Sequence, residues 1–170
     1  MKGIHTQWLT RALAMLVLAA GAHGTAAAAE LSAADVSQIQ QLYARYNHAI
    51  DEGNADAWAD TFTADGVFAS NFKGRDALKG FINTWRTSPQ MNGPARRHFS
   101  ADLVISSSAE GATGKVSAML IDLSTQPVSI ASYIVYNDVL VKTPQGWRFK
   151  SRAIVPQTAP AAAAAAPPAR

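Results

Sequence analysis

Near Arg96 the hydrophobic pattern of this chain changes period, and few architectures accommodate such a change. Before it, apolar residues recur every three or four positions. Val36, Ile39, Leu42, Tyr43, Tyr46, Ala49 and Ile50 form one stripe, and Leu78, Phe81, Ile82 and Trp85 form another. After it, four strand-like runs follow: Arg97 to Ser107, Ala112 to Leu123, Val128 to Lys142 and Trp147 to Val155. Glu110-Gly111, Gln126-Pro127 and the segment Thr143 to Gly146 supply the turns between them. A spacing of about 3.6 marks an amphipathic helix and alternation marks a strand. Helices gathered ahead of a meandering antiparallel sheet predict an α+β fold. Strands this long must twist and curl. The expected shape is a curved antiparallel sheet roofed by three N-terminal helices, with its pocket between roof and sheet.

Local signals place the elements. Ser32 with Asp35 makes a capping-box start for the first helix, and Gly53 stops it in the left-handed position. Asn54 caps a short second helix that carries Trp58 and Phe62 inward. Asp65-Gly66 reads as a turn before a strand from Val67 to Phe72. Gly74 opens a third helix, Arg75 to Arg86. One residue breaks a local rule. Asp51 lies in the last turn of the first helix, where the macrodipole disfavours a carboxylate, and such violations concentrate where a site needs the residue.

The ends read differently. Lys2 and Arg11, the apolar run Ala12 to Ala20 and the small residues up to Ala29 form a secretory signal. Residues 1–29 are therefore expected to be cleaved, leaving a periplasmic or secreted protein with no membrane association. The apolar run is too short to span a bilayer. The domain is expected over residues 30–155, and the Ala/Pro-rich residues 156–170 as a disordered tail. Lys2 and Arg11 leave with the leader, so 13 basic residues face 12 acidic ones. With no basic stripe, nucleic acid is not an expected partner. The chain has no cysteine, which excludes disulfides and thiolate chemistry. No phosphate loop, nucleophile elbow or dinucleotide fingerprint is present. No short histidine ligand spacing occurs either, so neither metal nor cofactor is expected.

The pattern Y-x-x-A-x-D-x-G-x-x-x-x-W-x-x-x-F-x-x-D-G-x-F, the R-H at residues 97–98 and the G-W-R-F at residues 146–149 resemble the SnoaL-like branch of the nuclear transport factor 2-like superfamily. The likeness runs from about Leu31 to Arg152. It implies the cone fold, and it is silent about chemistry, because this fold carries isomerases, dehydratases, cyclases, hydrolases and non-catalytic proteins. Residue by residue the likeness leans toward scytalone dehydratase and the bile acid dehydratases. It implies catalytic positions at Tyr46, Asp51 and His98, with H-F-S-A-D matching the histidine segment. The chain departs from those enzymes on the strand Ala112 to Leu123, which is apolar where the bile acid enzymes carry an acid, Asp122 lying two residues on. The second histidine of scytalone dehydratase has no counterpart. The ketosteroid isomerase base corresponds to Ser70, which sets that activity aside.

A histidine held by a carboxylate is a minimal acid–base pair, and a tyrosine can donate to a developing oxyanion. Asp51 with His98, assisted by Tyr46 or Tyr43, thus predicts elimination or a proton shift beside a carbonyl, on a small apolar or polycyclic molecule. Tyr43, Trp58, Phe62, Trp85, Asp102 and Asp122 are the expected substrate-binding residues. Alternation puts His98, Ser100 and Asp102 on one strand face. Tyr136 and Asp138 share a face, as do Arg148, Lys150 and Arg152. Asp138 with Arg152 reads either as an ordinary cross-strand ion pair or as a grip on an acidic substrate group. The alternative function is a small-molecule-binding or interaction module without turnover. Outward-facing Val135, Val139 and Val141, with the superfamily's habit of pairing through the sheet, predict a homodimer.

Overall fold

A computed structural model describes residues 30–157. The expected leader lies outside the described residues, as does the tail from residue 158. The elements in chain order are α1 (Ala33–Glu52), α2 (Ala55–Ala59), β1 (Phe62–Phe68), β2 (Phe72–Lys73), α3 (Arg75–Thr87), a 3-10 turn (Gly93–Ala95), β3 (Arg96–Ser108), β4 (Gly111–Asp122), β5 (Ser129–Thr143) and β6 (Gly146–Val155). Three helices lie against one six-stranded sheet of order β2-β1-β6-β5-β4-β3. Among the described residues no helix is long and apolar enough to cross a membrane.

The caps behave as their chemistry requires. Ser32 Oγ accepts from Asp35 N at 3.1 Å, and the Asp35 carboxylate returns a bond to Ser32 N. The same carboxylate receives Lys142 Nζ at 2.7 Å and Trp147 Nε1 at 3.0 Å, tying the start of α1 to the far end of the sheet. Gly53 adopts φ 67° at the other end. The α1 stripe Ile39, Leu42, Tyr43, Tyr46, Ala49 and Ile50 is buried. It meets Trp58 from α2, Leu78 and Ile82 from α3, and Phe149 from β6 in one core.

Two local expectations fail for identifiable reasons. Asp65-Gly66 is not a turn but lies inside β1, which starts at Phe62. Gly66 is needed for close approach: a Cβ there would sit 2.8 Å from Phe62 Cβ and 3.2 Å from Phe149 O. The turn instead follows at Ala69 and Ser70, both at positive φ. The sheet is also not wholly antiparallel, because β1 runs parallel to β6, with Phe62 opposite Phe149 and Phe68 opposite Arg152.

Three bulges bend the long strands, as bulges do. They interrupt β3 between Ala101 and Val104, β4–β5 at Leu120/Ile121, and β5–β6 at Val139/Leu140. Each changes which side chains face the helices. On the outer face the apolar residues standing in solvent are Phe99, Val104, Ile130 and Tyr133, each more than half exposed. Val135 is buried and Val139 and Val141 are partly covered, so the three valines are not the exposed surface.

Candidate functional site

β3 is the free edge of the sheet, so its outward N–H groups need partners other than a strand. Asp51, at the end of α1, meets that need at His98. Its carboxylate accepts from His98 N at 2.9 Å through Oδ2, and Oδ1 lies 2.6 Å from His98 Nδ1. One turn earlier Asn47 Nδ2 donates to Ser100 Oγ at 2.9 Å. The helix end is thereby stitched to the strand edge along a single helix face. The misplaced carboxylate finds its donors outside its own helix. The last carbonyls of α1 are served separately, since Arg86 donates to Glu52 O at 2.7 Å.

The geometry fixes the imidazole. A carboxylate oxygen only accepts, so Nδ1 carries the hydrogen and Nε2 is left as the basic nitrogen. Among the described residues Nε2 has no hydrogen-bonding partner. The His98 side chain is 3 % exposed and that of Asp51 is 13 %. Trp85 lies beside the ring with centroids 5.8 Å apart. A crevice of about 250 Å³, walled by Ile50, Asp51, Trp85, Gly93, Pro94 and Arg97, reaches the Asp51 side of the pair. A wider cleft, about 520 Å³ between Arg45, His48, Glu52, Asp60, Gln145 and Arg148, contains none of the expected site residues.

The remaining expected residues are distributed elsewhere. Tyr46 does not join the pair. Five residues along a helix is about 140° of rotation, so Tyr46 and Asp51 leave α1 in different directions. Tyr46 is fully buried against Trp58, Phe62 and Phe149. Trp58 and Phe62 are core residues beside it. Asp102 is not on the His98 face either. It sits at φ 57° in the β3 bulge and turns outward, beside Phe99, Ser117, Met119 and Tyr133. Leu103 takes the inward position. Asp122 does face inward, opposite Arg96 in register, where it pairs with Arg96 Nη2 at 3.3 Å and accepts from Ser124 N and Oγ. Those partners hold its carboxyl below the usual range, the Ser124 hydroxyl first among them.

A second polar cluster lies deeper, and alternation alone hides it. Strict period two would put Arg152 with Arg148 and Lys150 on the outer face. Instead the bulge leaves Lys150 unpaired and Arg152 opposite Asp138, facing inward. Of the two readings of these residues the cross-strand ion pair is present, and it is buried: both side chains are 0 % exposed, with Arg152 Nε 3.7 Å from Asp138 Oδ1. Tyr43 Oη donates to Asp138 Oδ2 at 2.6 Å. Tyr43 therefore serves Asp138 rather than His98. Gly114, opposite Asp138, makes that bond possible, since a Cβ there would stand 2.0 Å from the hydroxyl. Burial pushes the Asp138 carboxyl above its ordinary value, with Arg152 and Tyr43 pulling the other way. Burial opposes the Arg152 charge, but Asp138 and the neighbouring tyrosines hold the guanidinium above its usual value. Burial also raises the Tyr43 and Tyr46 hydroxyls well above the usual phenol range. Among the described residues no group of three or more possible metal ligands gathers.

Fold and sequence together define the class: residues 31–153 match the SnoaL-like domain, and the chain belongs to that family. Solved relatives carry the same architecture. A protein of unknown function from Mycobacterium tuberculosis, Rv3472, is 26 % identical with a TM-score of 0.62, covering 72 % of this chain and 71 % of that one. A Catenulispora acidiphila protein solved in complex with S-DNPA is 28 % identical with a TM-score of 0.64, over 72 % and 93 % of the two chains. An NTF2-like protein with a cystatin-like fold from Novosphingobium aromaticivorans, 23 % identical, has a TM-score of 0.64 over 71 % and 80 %. No curated protein sequence matches this chain significantly.

Proposed function

We propose that this protein is an exported, cofactor-free lyase or isomerase that moves a proton on a small apolar or polycyclic substrate, with Asp51 and His98 as its acid–base pair. The observation that carries the reading is the 2.6 Å contact between Asp51 Oδ1 and His98 Nδ1, with the carboxylate pinned by the His98 N–H. One partner fixes the tautomer and orientation, and Nε2 stays available to a substrate C–H or hydroxyl. The small molecule bound by the Catenulispora relative supports a pocket for such a ligand.

The test is solvent deuterium incorporation into a panel of polycyclic ketones and β-hydroxy carbonyl compounds. Wild type is expected to exchange a proton beside the carbonyl, and His98→Ala to lose about 10²–10⁴-fold of that rate. Exchange that survives in His98→Ala refutes the reading. The 3 % exposure of His98 and the separation of Tyr46 from it favour one alternative, a binding module without turnover. That alternative predicts ligand-induced stabilisation in wild type and His98→Ala alike, with no exchange in either.

Two further parts of the proposal have their own tests. The composition of residues 1–29 supports export, and an intact Met1 on protein recovered from the cytoplasm would end that idea. The exposed Phe99, Val104, Ile130 and Tyr133 support pairing of two copies through the outer sheet face. Sedimentation should show a dimer that Phe99→Asp with Tyr133→Lys converts to a monomer.

A further inference from the structure

The cleft of about 520 Å³ between α1, α2 and the β5–β6 turn opens on the surface, away from the Asp51–His98 pair. Its long wall is one face of α1. Arg45, His48 and Glu52 follow one another at spacings of three and four, so their side chains leave the helix on the same side. Gln145 and Arg148 come from the β5–β6 turn and β6, and Asp60 from the end of α2. Ala49 and Ala57 line the cleft too, and their single-carbon side chains keep it open.

The charges of the cleft are unevenly used. Asp60 is taken by Arg75, whereas among the described residues Arg45, His48, Glu52 and Arg148 form no ion pair. Arg148 is nonetheless held in place, because Nη1 donates to Trp147 O at 2.9 Å and the rest of the guanidinium fork is left for a ligand. It belongs to the Arg45 end of the cleft. On one side of it Trp147 reaches Asp35, at the start of α1, at 3.0 Å. On the other side Phe149 packs on Tyr43 and Tyr46, with ring centres 5.1 and 5.6 Å apart. β6 thus follows α1 in the direction of the chain, and Glu52 is left at the far end. The two ends therefore differ in sign, with two guanidiniums at one and a carboxylate at the other. Seven residues of helix separate Arg45 from Glu52, about 10 Å along the axis.

We propose that this cleft binds a short peptide by its two free ends. The terminal carboxylate accepts from Arg45 and Arg148, and the terminal ammonium donates to Glu52. An extended chain covers about 3.3–3.6 Å per residue, so three residues match a separation of about 10 Å. The middle of the cleft suits amides rather than a hydrocarbon spacer. His48, midway along the α1 wall, has one donor and one acceptor nitrogen when neutral, and the Gln145 side chain offers both kinds of group. Neither the Asp51–His98 chemistry nor a ligand between the helices and the sheet is required.

The probe is trialanine, titrated into the purified protein at low salt, where exposed charges are least screened, and followed by two-dimensional amide NMR. Shifts should concentrate at residues 45–52, 57–61 and 145–148. Trialanine amide lacks the carboxylate and N-acetyl-trialanine lacks the ammonium. Each should bind at least about tenfold more weakly, as loss of a hydrogen-bonded charge implies. Arg148→Gln should remove the preference for trialanine over its amide, and Glu52→Gln the preference over the acetylated peptide. Ala57→Leu fills the cleft from an exposed helix position without changing any charge, so it should abolish binding and leave Tm unchanged. No binding of trialanine, equal binding of the three peptides, or shifts confined to other parts of the protein overturns the proposal. So does binding that survives Ala57→Leu, or a set of preferences that Arg148→Gln and Glu52→Gln leave intact.

Discussion

Gly114→Ala is a one-methyl change whose sign depends on the Tyr43–Asp138 bond. Gly114 has no left-handed φ, so an alanine is permitted by the backbone. In an uncrowded strand the change would stabilise by about 0.5–1 kcal/mol. Here the new Cβ would stand 2.0 Å from Tyr43 Oη and 3.2 Å from Cζ. The hydroxyl is at the end of a rigid ring packed edge-on against Phe149 at 5.1 Å, so it cannot fold aside. Overpacking costs about 1–3 kcal/mol, and stranding Asp138 Oδ2 without its donor adds about 1–3 kcal/mol. The expected total is a destabilisation of about 2–6 kcal/mol, or roughly 6–24 °C in Tm for a domain of this size. The assay is a double-mutant cycle by thermal and urea unfolding. In a Tyr43→Phe background the clashing atom is gone and the carboxylate is already stranded, so Gly114→Ala should cost under about 1 kcal/mol. Equal costs in both backgrounds, or a rise in Tm for the single variant, would refute the account of Gly114 as the seat of that hydroxyl.

Asp51→Ala should expose the edge of β3 at one point. A loss of about 1–3 kcal/mol is expected from the orphaned His98 N–H, with faster hydrogen exchange at that amide and little change at residues of β5. The buried Asp138 gives stability an unusual pH slope. Its folded carboxyl lies above the unfolded value, so the folded state favours the protonated form. Its contribution is complete below the ordinary carboxylate range and is lost as pH rises through the raised value. Melting curves of wild type and Asp138→Asn should therefore diverge as pH climbs from about 4, with wild type losing ground. Asp35 has the opposite sign. Lys142 first, then Ser32 and Trp147, hold its carboxyl well below the usual range. Its contribution is present above the ordinary value and persists into stronger acid than an unpaired carboxylate's would. An Asp35→Asn variant should lose most of the wild-type difference only at low pH.

The parts legible in the sequence are the local ones. Ser32 and Asp35, Gly53 and Asn54 set helix ends through bonds spanning a few residues, and the α1 stripe predicts its buried face. Asp51 was legible because it breaks a rule of its own helix, whereas His98 as its partner came from the dehydratase resemblance. Tyr46 was not separable from Asp51 by pattern, although the rotation between positions 46 and 51 points them apart. The bulges were invisible. Asp102 and Arg152 each sit at or just beyond one extra residue, and period two carries no mark of an insertion until the partner strand fixes the register. The parallel contact of β1 with β6 joins residues too distant for any local signal. The burial of Arg152 was hidden by the same bulge, which turns it inward under Tyr43 and Tyr46 of α1, Tyr136 of β5 and Phe149 of β6.

That β1–β6 contact also sets an order of events during synthesis. β3 to β6 pair with their sequence neighbours, so they can zip up as successive hairpins with short loops to close. β1 cannot. Apart from the two residues of β2, its sheet partner is β6, the last ten-residue strand of the domain. A nascent chain cut before Gly146 has every helix and most of the sheet, yet Phe62 has no neighbouring strand, Phe68 has only Phe72 of the two-residue β2, and the apolar face of α1 lacks Trp147 and Phe149. The final strand acts as the latch of the domain. While a chain waits for it, the amino-terminal half stays open to chaperones and to any machinery that handles unfolded polypeptide.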